Sequence, residues 1–393
     1  MPPKETPIRS DDKNRPTTER LGSTSSIKLE RYETELGIAG AVVHWGEIFE
    51  GDNLRSAVLT AFEGDEDKLI GSSGFTTLYR TPILPNPSDA IYQELNAADR
   101  LVTTTLGLNH WSSGDIEAIA LGSGAPVIDD PQLVDQTYAA ILAQRAGIDT
   151  DIPMHETYAA CNSGGYELAR ILRDPDLHGK KVLLVAMEGL TRLFPGFDPQ
   201  VADNISLQVF SNGGAAFGII PGIDMRYLVG TDQVIVDEGA LAANPPYRHL
   251  LDPNEGPWQE GGGVSMLRLP TPEKGEIYMK GVPTTKFFIK NTAPIIKQVV
   301  EAHHALSPDH GIDHVVSHHA SLPVIEGLKR RLQKDGIELD IPWVVPDGNS
   351  SGATTLIALA RQMSDFKEGD HVLIASFGAG ASFSVFVVEI GRR

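Results

Sequence analysis

The chain is almost without cysteine, with Cys161 alone among 393 residues. A single thiol closes no internal disulfide and cannot build a cysteine-cluster zinc or iron–sulfur site. Positive charge is also scarce: 33 Lys and Arg face 52 Asp and Glu, a net charge of −19 that makes nucleic acid a poor partner. No stretch approaches the ~18 consecutive apolar residues of a transmembrane helix, and the opening residues lack the apolar core of a secretory signal. The cytoplasm is therefore the expected location. Glycine and proline are plentiful but show no period, which excludes collagen-like repeats. The 41% hydrophobic content is that of an ordinary globular chain, long enough for a large core.

Residues 1–30, rich in Pro, Ser, Thr and mixed charge, show no apolar periodicity and are predicted to form a disordered tail. From Leu36 onward, apolar runs of strand length alternate with helical patterns. Strands are predicted at Ile38–Val43, Ile116–Leu121, Val182–Met187, His314–Ser317, Trp343–Val345, Val372–Phe377 and Ser382–Val388. Helices are predicted at Asp89–Leu106, Gln132–Arg145, Cys161–Arg173, Phe287–His304 and Leu322–Lys334. The stretch Pro221–Gly281 is rich in Pro, Gly and acid and reads as loops with short strands. Two α/β halves of similar element order result, residues 36–221 carrying Cys161 and residues 222–393 carrying His318 and Asn349.

Cys161 lies in Glu156-Thr-Tyr-Ala-Ala-Cys-Asn-Ser-Gly-Gly165, where a strand-like run gives way to a helix. There the positive end of the helix macrodipole favours thiolate. An arbitrary lone cysteine is more often a buried structural residue. The two glycines in an early helical turn cost about 1 kcal/mol each relative to alanine, which calls for compensation and favours a site. His318 ends the apolar strand in Val315-Val-Ser-His-His-Ala-Ser-Leu322, where α/β sites collect polar residues. His319 is adjacent, and spacing alone does not exclude it. Asn349 sits in the turn Val345-Pro-Asp-Gly-Asn-Ser-Ser-Gly-Ala353, where a helix cap is the simplest role. Phe377-Gly-Ala-Gly-Ala381 is a tight turn followed by a strand, so it is no dinucleotide fingerprint, but its N–H groups suit a developing oxyanion.

Cys, His and Asn in that order also describe papain-like proteases. Those carry the cysteine near the mature N-terminus in a different motif, whereas 160 residues precede Cys161 here. The same order within two α/β halves resembles the β-ketoacyl-acyl-carrier-protein synthase III family of the thiolase superfamily. Ala159-Ala-Cys161 resembles its nucleophile motif, and Ser317-His-His-Ala-Ser321 its Pro-His-Gln-Ala-Asn segment. Gly348-Asn-Ser-Ser351 is similar to its Gly-Asn-Thr-Ser, Ser376-Phe-Gly-Ala-Gly380 to its Ala-Phe-Gly-Gly-Gly, and Asn212-Gly-Gly-Ala-Ala216 to its Gly-Asp-Gly-Ala-Gly.

The resemblance implies a thiolase-like, five-layered αβαβα fold of two similar halves, with the active site at their interface, and a homodimer. It implies Cys161, His318 and Asn349 as the catalytic set, with the backbone N–H groups of Cys161 and Ala379 as oxyanion hole. Cys161 would take an acyl group from a thioester and condense it decarboxylatively with a malonyl-type thioester, as in fatty-acid or polyketide biosynthesis. Coenzyme A or phosphopantetheine thioesters would be substrates, with no metal and no further cofactor. Arg192 matches a family basic position at the tunnel mouth, and Lys286, Lys290, Arg330 and Arg331 are candidates for binding the thioester or its carrier protein. In departure from the pattern, Ser317 and Ser321 replace the family's Pro and Asn flanks, Ala379 replaces the middle glycine, and Pro323 stands where an arginine often meets the carrier. An alternative acyltransferase would pass the acyl group to an alcohol or amine without decarboxylation.

Overall fold

Val182–Glu188 and His371–Gly378 are buried along their whole length, a pattern that demands cover on both faces of their sheets. The computed structural model describes residues 17–21, 25–54, 56, 73–86, 88–124, 133, 136–193, 209–234, 267–268, 278–279, 281–378 and 381–393. Its strands are β1 (Thr17–Leu21), β2 (Ser25–Glu33), β3 (Ala39–Glu50), β4 (Thr77–Arg80), β5 (Ala118–Gly122), β6 (Met154–Thr157) and β7 (Val182–Glu188). They continue as β8 (Gly213–Ile219), β9 (Met225–Val234), β10 (Leu267–Arg268), β11 (Tyr278–Met279), β12 (His314–Ser317), β13 (His371–Gly378) and β14 (Ser382–Ile390). The principal helices are α1 (Ser88–Leu108), α2 (Tyr138–Ala146), α3 (Ser163–Arg173), α4 (Gly281–Leu306), α5 (Leu322–Lys334) and α6 (Thr354–Gln362).

Two mixed sheets result. The first runs β1-β2-β3-β8-β7-β5-β6, with β4 paired to the far end of β3, and the second runs β12-β13-β14-β9. In the first sheet β5 is parallel to β7, which is antiparallel to β8, itself antiparallel to β3. In the second, β12 is parallel to β13, which is antiparallel to β14, itself antiparallel to β9. The two halves thus repeat one wiring, and the chain passes from one to the other between β8 and β9.

Strand parity assigns side chains to layers, because successive residues face opposite sides of a sheet. On β7, Val182, Leu184 and Ala186 enter the core between the sheets, whereas Leu183, Val185 and Met187 meet the outer helices α1 and α2. On β13, Val372 and Ile374 face the same central core, whereas Leu373, Ala375 and Phe377 meet α4 and α5. The central core holds α3 and α6 between the sheets. Five layers, αβαβα, follow, and this is the thiolase-like arrangement that the resemblance implied. Among the described residues no helix is long and apolar enough to cross a membrane.

Three expectations require correction. Structure begins inside the predicted tail, because β1 and β2 pair antiparallel within residues 17–33 and β2 continues onto β3. Ile27 and Leu29 point into the core, while Lys28 and Glu30 face Asp347 and Arg361, more than 300 residues away, so the polar alternation conceals a buried strand. Trp343–Val345 is not a strand. Its backbone is satisfied by side chains instead: the Val344 N–H donates to His319 Nε2 at 3.1 Å, and Val344 O accepts from Arg361 at 3.1 Å. The predicted helix at Gln132–Arg145 starts only at Tyr138, where Thr137 Oγ1 accepts from the Ala140 N–H at 3.3 Å as its cap. Gln132 lies outside the described residues.

The paired glycines of α3 now have their reason. A Cβ on Gly165 would overlap Ser376 of β13, and one on Gly164 would lie 2.5 Å from Gly352 O. Gly165→Ala should therefore lower stability by about 1–3 kcal/mol through overpacking. Gly107→Ala, on α1 with open space around the new carbon, should instead raise it by up to about 1 kcal/mol. Chemical denaturation midpoints of the two variants check the contrast.

Candidate active site

Cys161 sits in a short 3-10 turn, Ala160–Asn162, between β6 and the N-terminus of α3. Ala160 has φ 47°, a left-handed conformation that costs a residue with a Cβ roughly 1–2 kcal/mol. The equivalent turn of the second half, Ser351–Ala353 before α6, opens on Ser351 at φ 40°. These two turns face each other, and the Cys161 thiol donates to Ser351 Oγ at 3.5 Å. Gly378, the last residue of β13, closes the third side: a Cβ there would lie 2.8 Å from Cys161 N and 2.6 Å from Asn162 N. The Ala379 partner expected for the oxyanion hole lies outside the described residues.

The structure separates the two neighbouring histidines. His319 is structural: its Nδ1 contacts Ser317 O at 2.7 Å, and its Nε2 contacts Pro342 O at 3.0 Å and the Val344 N–H at 3.1 Å. His318 is equally buried, but its Nδ1 has no hydrogen-bond partner among the described residues. Its ring stands edge-on against Phe377, the residue before Gly378, so it is held at the end of β13 that touches Cys161. Burial, with neighbouring His319 adding to it, pushes its pKa down to about 3. The imidazole is therefore neutral at working pH, able to exchange a hydrogen bond but reluctant to hold a proton.

Asn349 is fixed more tightly. Its Oδ1 accepts from the Ser351 N–H at 2.8 Å and from Thr354 Oγ1 at 3.0 Å, which leaves Nδ2 as the donating end. Its backbone is pinned to the 209–211 segment by bonds to Val209 O and from the Ser211 N–H. Two residues earlier, Asp347 anchors a buried charge network. Arg361 of α6 lies 2.6 Å from Asp347 and 3.0 Å from Glu30, and Lys28 lies 2.7 Å from Glu30 and 3.1 Å from Asp347. Glu30, His44 and Asp347 have ligand atoms close enough to hold a metal ion. Two cations already balance the two carboxylates, however, so a metal would have to displace them.

A second buried cluster lies on the other side of Cys161. Glu188, which ends β7, accepts from the Gly124 N–H at 2.7 Å, and a Cβ on Gly124 would overlap both Glu188 Oε2 and Ser351 Oγ. Glu94 of α1 accepts from Tyr138 at 2.8 Å and pairs with Arg192 at 3.0 Å. Arg192, expected at a basic position of the tunnel mouth, is thus nearly buried and engaged with a carboxylate. Lys286, Lys290, Arg330 and Arg331 are exposed on the outer helices α4 and α5. Arg331 pairs with Asp335 at 3.0 Å, and the other three have no ion pair among the described residues.

Sequence reading missed the chemical weight of Ser351 and Glu188. The signal for Glu188 was present: it is one acid closing a strand that is otherwise wholly apolar. For Ser351 nothing local distinguished it from Ser350.

The Arg361 network makes stability depend on acid. Burial alone would raise the Glu30 pKa, but Arg361 and its neighbours outweigh it and hold it at about 2 against an ordinary 4.5. A depressed carboxylate stabilises fully above its unfolded value and loses that contribution as pH falls through its folded value. Denaturation midpoints should therefore drop between about pH 4.5 and 2, and Arg361→Met should be less stable at pH 7 and lose less over that window.

A family model for the C terminal of 3-oxoacyl-[acyl-carrier-protein (ACP)] synthase III matches residues 303–390, the segment that holds His318 and Asn349. β-Ketoacyl-[acyl-carrier-protein] synthase III of Phocaeicola vulgatus is 24% identical over 304 residues, 76% of this chain and 81% of that protein. Among solved structures, 1,3,6,8-tetrahydroxynaphthalene synthase from Streptomyces coelicolor, a bacterial type III polyketide synthase, superposes with TM-score 0.68 at 16% identity, over 90% of this chain and 99% of its own. 3-Oxoacyl-[acyl-carrier-protein] synthase III from Aquifex aeolicus gives 0.62 at 16% identity, over 93% and 98%. With the thiolase-like layers and the Cys161, His318 and Asn349 motifs, these matches make the chain similar to the β-ketoacyl-acyl-carrier-protein synthase III enzymes, a class of acyl-transferring condensing enzymes.

Proposed function

We propose that this protein is a ketosynthase III-like condensing acyltransferase that loads an acyl group on Cys161 and extends it with a malonyl-type thioester. Thiolate attacks the thioester carbonyl of the donor, and the coenzyme A or phosphopantetheine thiolate leaves. The malonyl-type thioester then binds with its carbonyl oxygen toward His318 and Asn349 Nδ2. Loss of CO2 leaves an enolate there, which attacks the acyl-Cys161 carbonyl, and the cysteine thiolate departs. The Cys161 N–H, with that of Ala379, supplies the oxyanion hole, where one donor is typically worth about 3–4 kcal/mol. No metal or further cofactor enters these steps, and a homodimer in the cytoplasm is part of the same reading.

One observation carries the choice of condensation: the two side chains offered to the acceptor are neutral hydrogen-bonding groups. His318 is held near 3 by burial and His319, and Asn349 has only its amide N–H left to give. Transfer to an alcohol or amine would need a base to remove the acceptor's proton, and a buried imidazole of that kind is a poor one. An enolate needs only donors.

Intact mass spectrometry after incubation with a panel of acyl thioesters should show one acyl adduct, on Cys161, that discharges with a malonyl thioester. No adduct with any donor would remove the acyltransferase reading, and discharge only by an alcohol or amine would select the alternative. Asn349→Ala should spare acylation and slow decarboxylative condensation by about 10²-fold or more. If an acidic carrier protein brings the acyl group, its docking face is the basic one of Lys286, Lys290, Arg330 and Arg331. Reversing charge at Arg330 and Arg331 should then slow transfer and flatten its salt dependence, because contact-range attraction survives a Debye length of ~8 Å. Unchanged kinetics would clear that surface of the role.

A further inference from the structure

His318 and Asn349 come from segments that share no strand, so something must set how far apart they stand. His318 is tied to the second sheet, its N–H donating to Ala375 O of β13 at 2.9 Å. Asn349 ends a strap, residues 342–349, that forms no strand of either sheet. The strap is tied to the first half, where the Asn349 N–H donates to Val209 O at 2.6 Å. His319, next to His318 and fully buried, joins the two. Its Nε2 lies 3.1 Å from Val344 N and 3.0 Å from Pro342 O, and its ring packs against Trp343 with centroids 5.0 Å apart. Arg361 holds the other side of Val344, donating to its carbonyl at 3.1 Å while it pairs with Asp347 at 2.6 Å.

The neighbours of this ring fix where its hydrogen sits. Nδ1 lies 2.7 Å from Ser317 O, a carbonyl that can only accept, so Nδ1 carries the hydrogen. In the neutral ring Nε2 is then bare and accepts from the Val344 N–H. A second proton would turn Nε2 into a donor toward Pro342 O and take this acceptor away from Val344. Burial pushes the His319 pKa down to about 4, with Arg361 and Lys329 adding to it against the pull of Ser317 O and Pro342 O. The ring is therefore neutral at working pH, and its bond to the strap is kept.

We infer that His319 is a positioning residue that sets the separation of His318 and Asn349 by bonding the strap at Val344. This deepens the condensation reading and rests on it. An enolate oxygen shared by an imidazole and an amide needs both donors at once, and a shift of about 1 Å in one can cost on the order of 10²-fold. His319 acts through the strap and not on the reacting atoms. Its place beside His318 matters for the same reason. The two rings leave the end of β12 toward different partners, His318 toward Phe377 and His319 toward Trp343, so a shift of the strap is a shift relative to His318.

Two amides separate this role from ordinary core packing. The side-chain nitrogen of an asparagine falls where histidine Nδ1 stands, and the amide end of a glutamine falls near Nε2. His319→Asn should therefore keep the Ser317 O bond and lose the strap, whereas His319→Gln should keep the strap, its amide oxygen accepting from the Val344 N–H. Intact mass spectrometry follows acyl loading of Cys161 from an acyl thioester and then discharge by a malonyl thioester. Both variants should load within about twofold of wild type, and discharge should stay within about threefold for His319→Gln but slow by about tenfold or more for His319→Asn. Equal discharge in the two variants, or slower discharge in His319→Gln, overturns the inference. So does a loss of loading and discharge in parallel, the mark of a merely structural residue. A wild-type adduct that malonyl never discharges sinks the condensation reading instead, and hydrogen exchange of residues 342–349 then decides the positioning. That exchange should be faster by about tenfold in His319→Asn and unchanged in His319→Gln, and equal exchange overturns the inference. Should His319→Asn fail to fold, exchange of the Val344 amide in the wild type decides: protection like that of the β12 amides supports the bond, and free exchange removes it.

Discussion

The N-termini of α3 and α6 meet at the centre of the molecule, and the space between them is set by residues with little or no side chain. Gly164 admits the carbonyl of Gly352, Gly165 admits Ser376, and Gly378 admits the backbone nitrogens of Cys161 and Asn162. Polar atoms buried at such close approaches must find a partner or remain costly. Both helix dipoles point their positive ends into the same small volume. A thiolate, an enolate or an oxyanion is the kind of charge that such a place favours.

That geometry follows from the repeated wiring of the halves. In each, the last crossover before the final strand pair is a buried helix preceded by a strained turn, Ala160 in one and Ser351 in the other. The same position has been put to different use. In the first half the turn presents a thiol, and in the second it presents an amide and a hydroxyl. The sites of the two halves become one because α3 and α6 share a layer.

Charge is kept away from the reacting atoms yet held close enough to position them. Lys28, Glu30, Asp347 and Arg361 neutralise one another, and they tie β2, the Asn349 turn and α6 into a single rigid unit. Removing one member would strand a buried charge, which is far more costly than the net worth of the pair. Glu94, Arg192 and Tyr138 perform the same service behind Glu188. The neutral middle, Cys161 with Ser351, His318 and Asn349, lies between two such units.

Local pattern was enough for most elements and for three of the candidate site residues. His314–Ser317 and Leu322–Lys334 were legible to the residue, because an apolar strand and a Pro-started amphipathic helix leave clear periods. Cys161, His318 and Asn349 were legible because each sits in a small-residue turn at the end of an apolar run. What tertiary structure alone decided concerns partners far apart in the chain. It turned β2 from apparent tail into strand through cations and acids more than 300 residues away, and left Trp343–Val345 unpaired because side chains satisfy its backbone. It separated His318 from His319 by leaving one ring nitrogen of His318 without a partner among the described residues, and it paired Arg192 with Glu94. Cys161 was the scarcest residue of the chain from the start. That its thiol faces Ser351, 190 residues onward, is a fact of packing that no local period records.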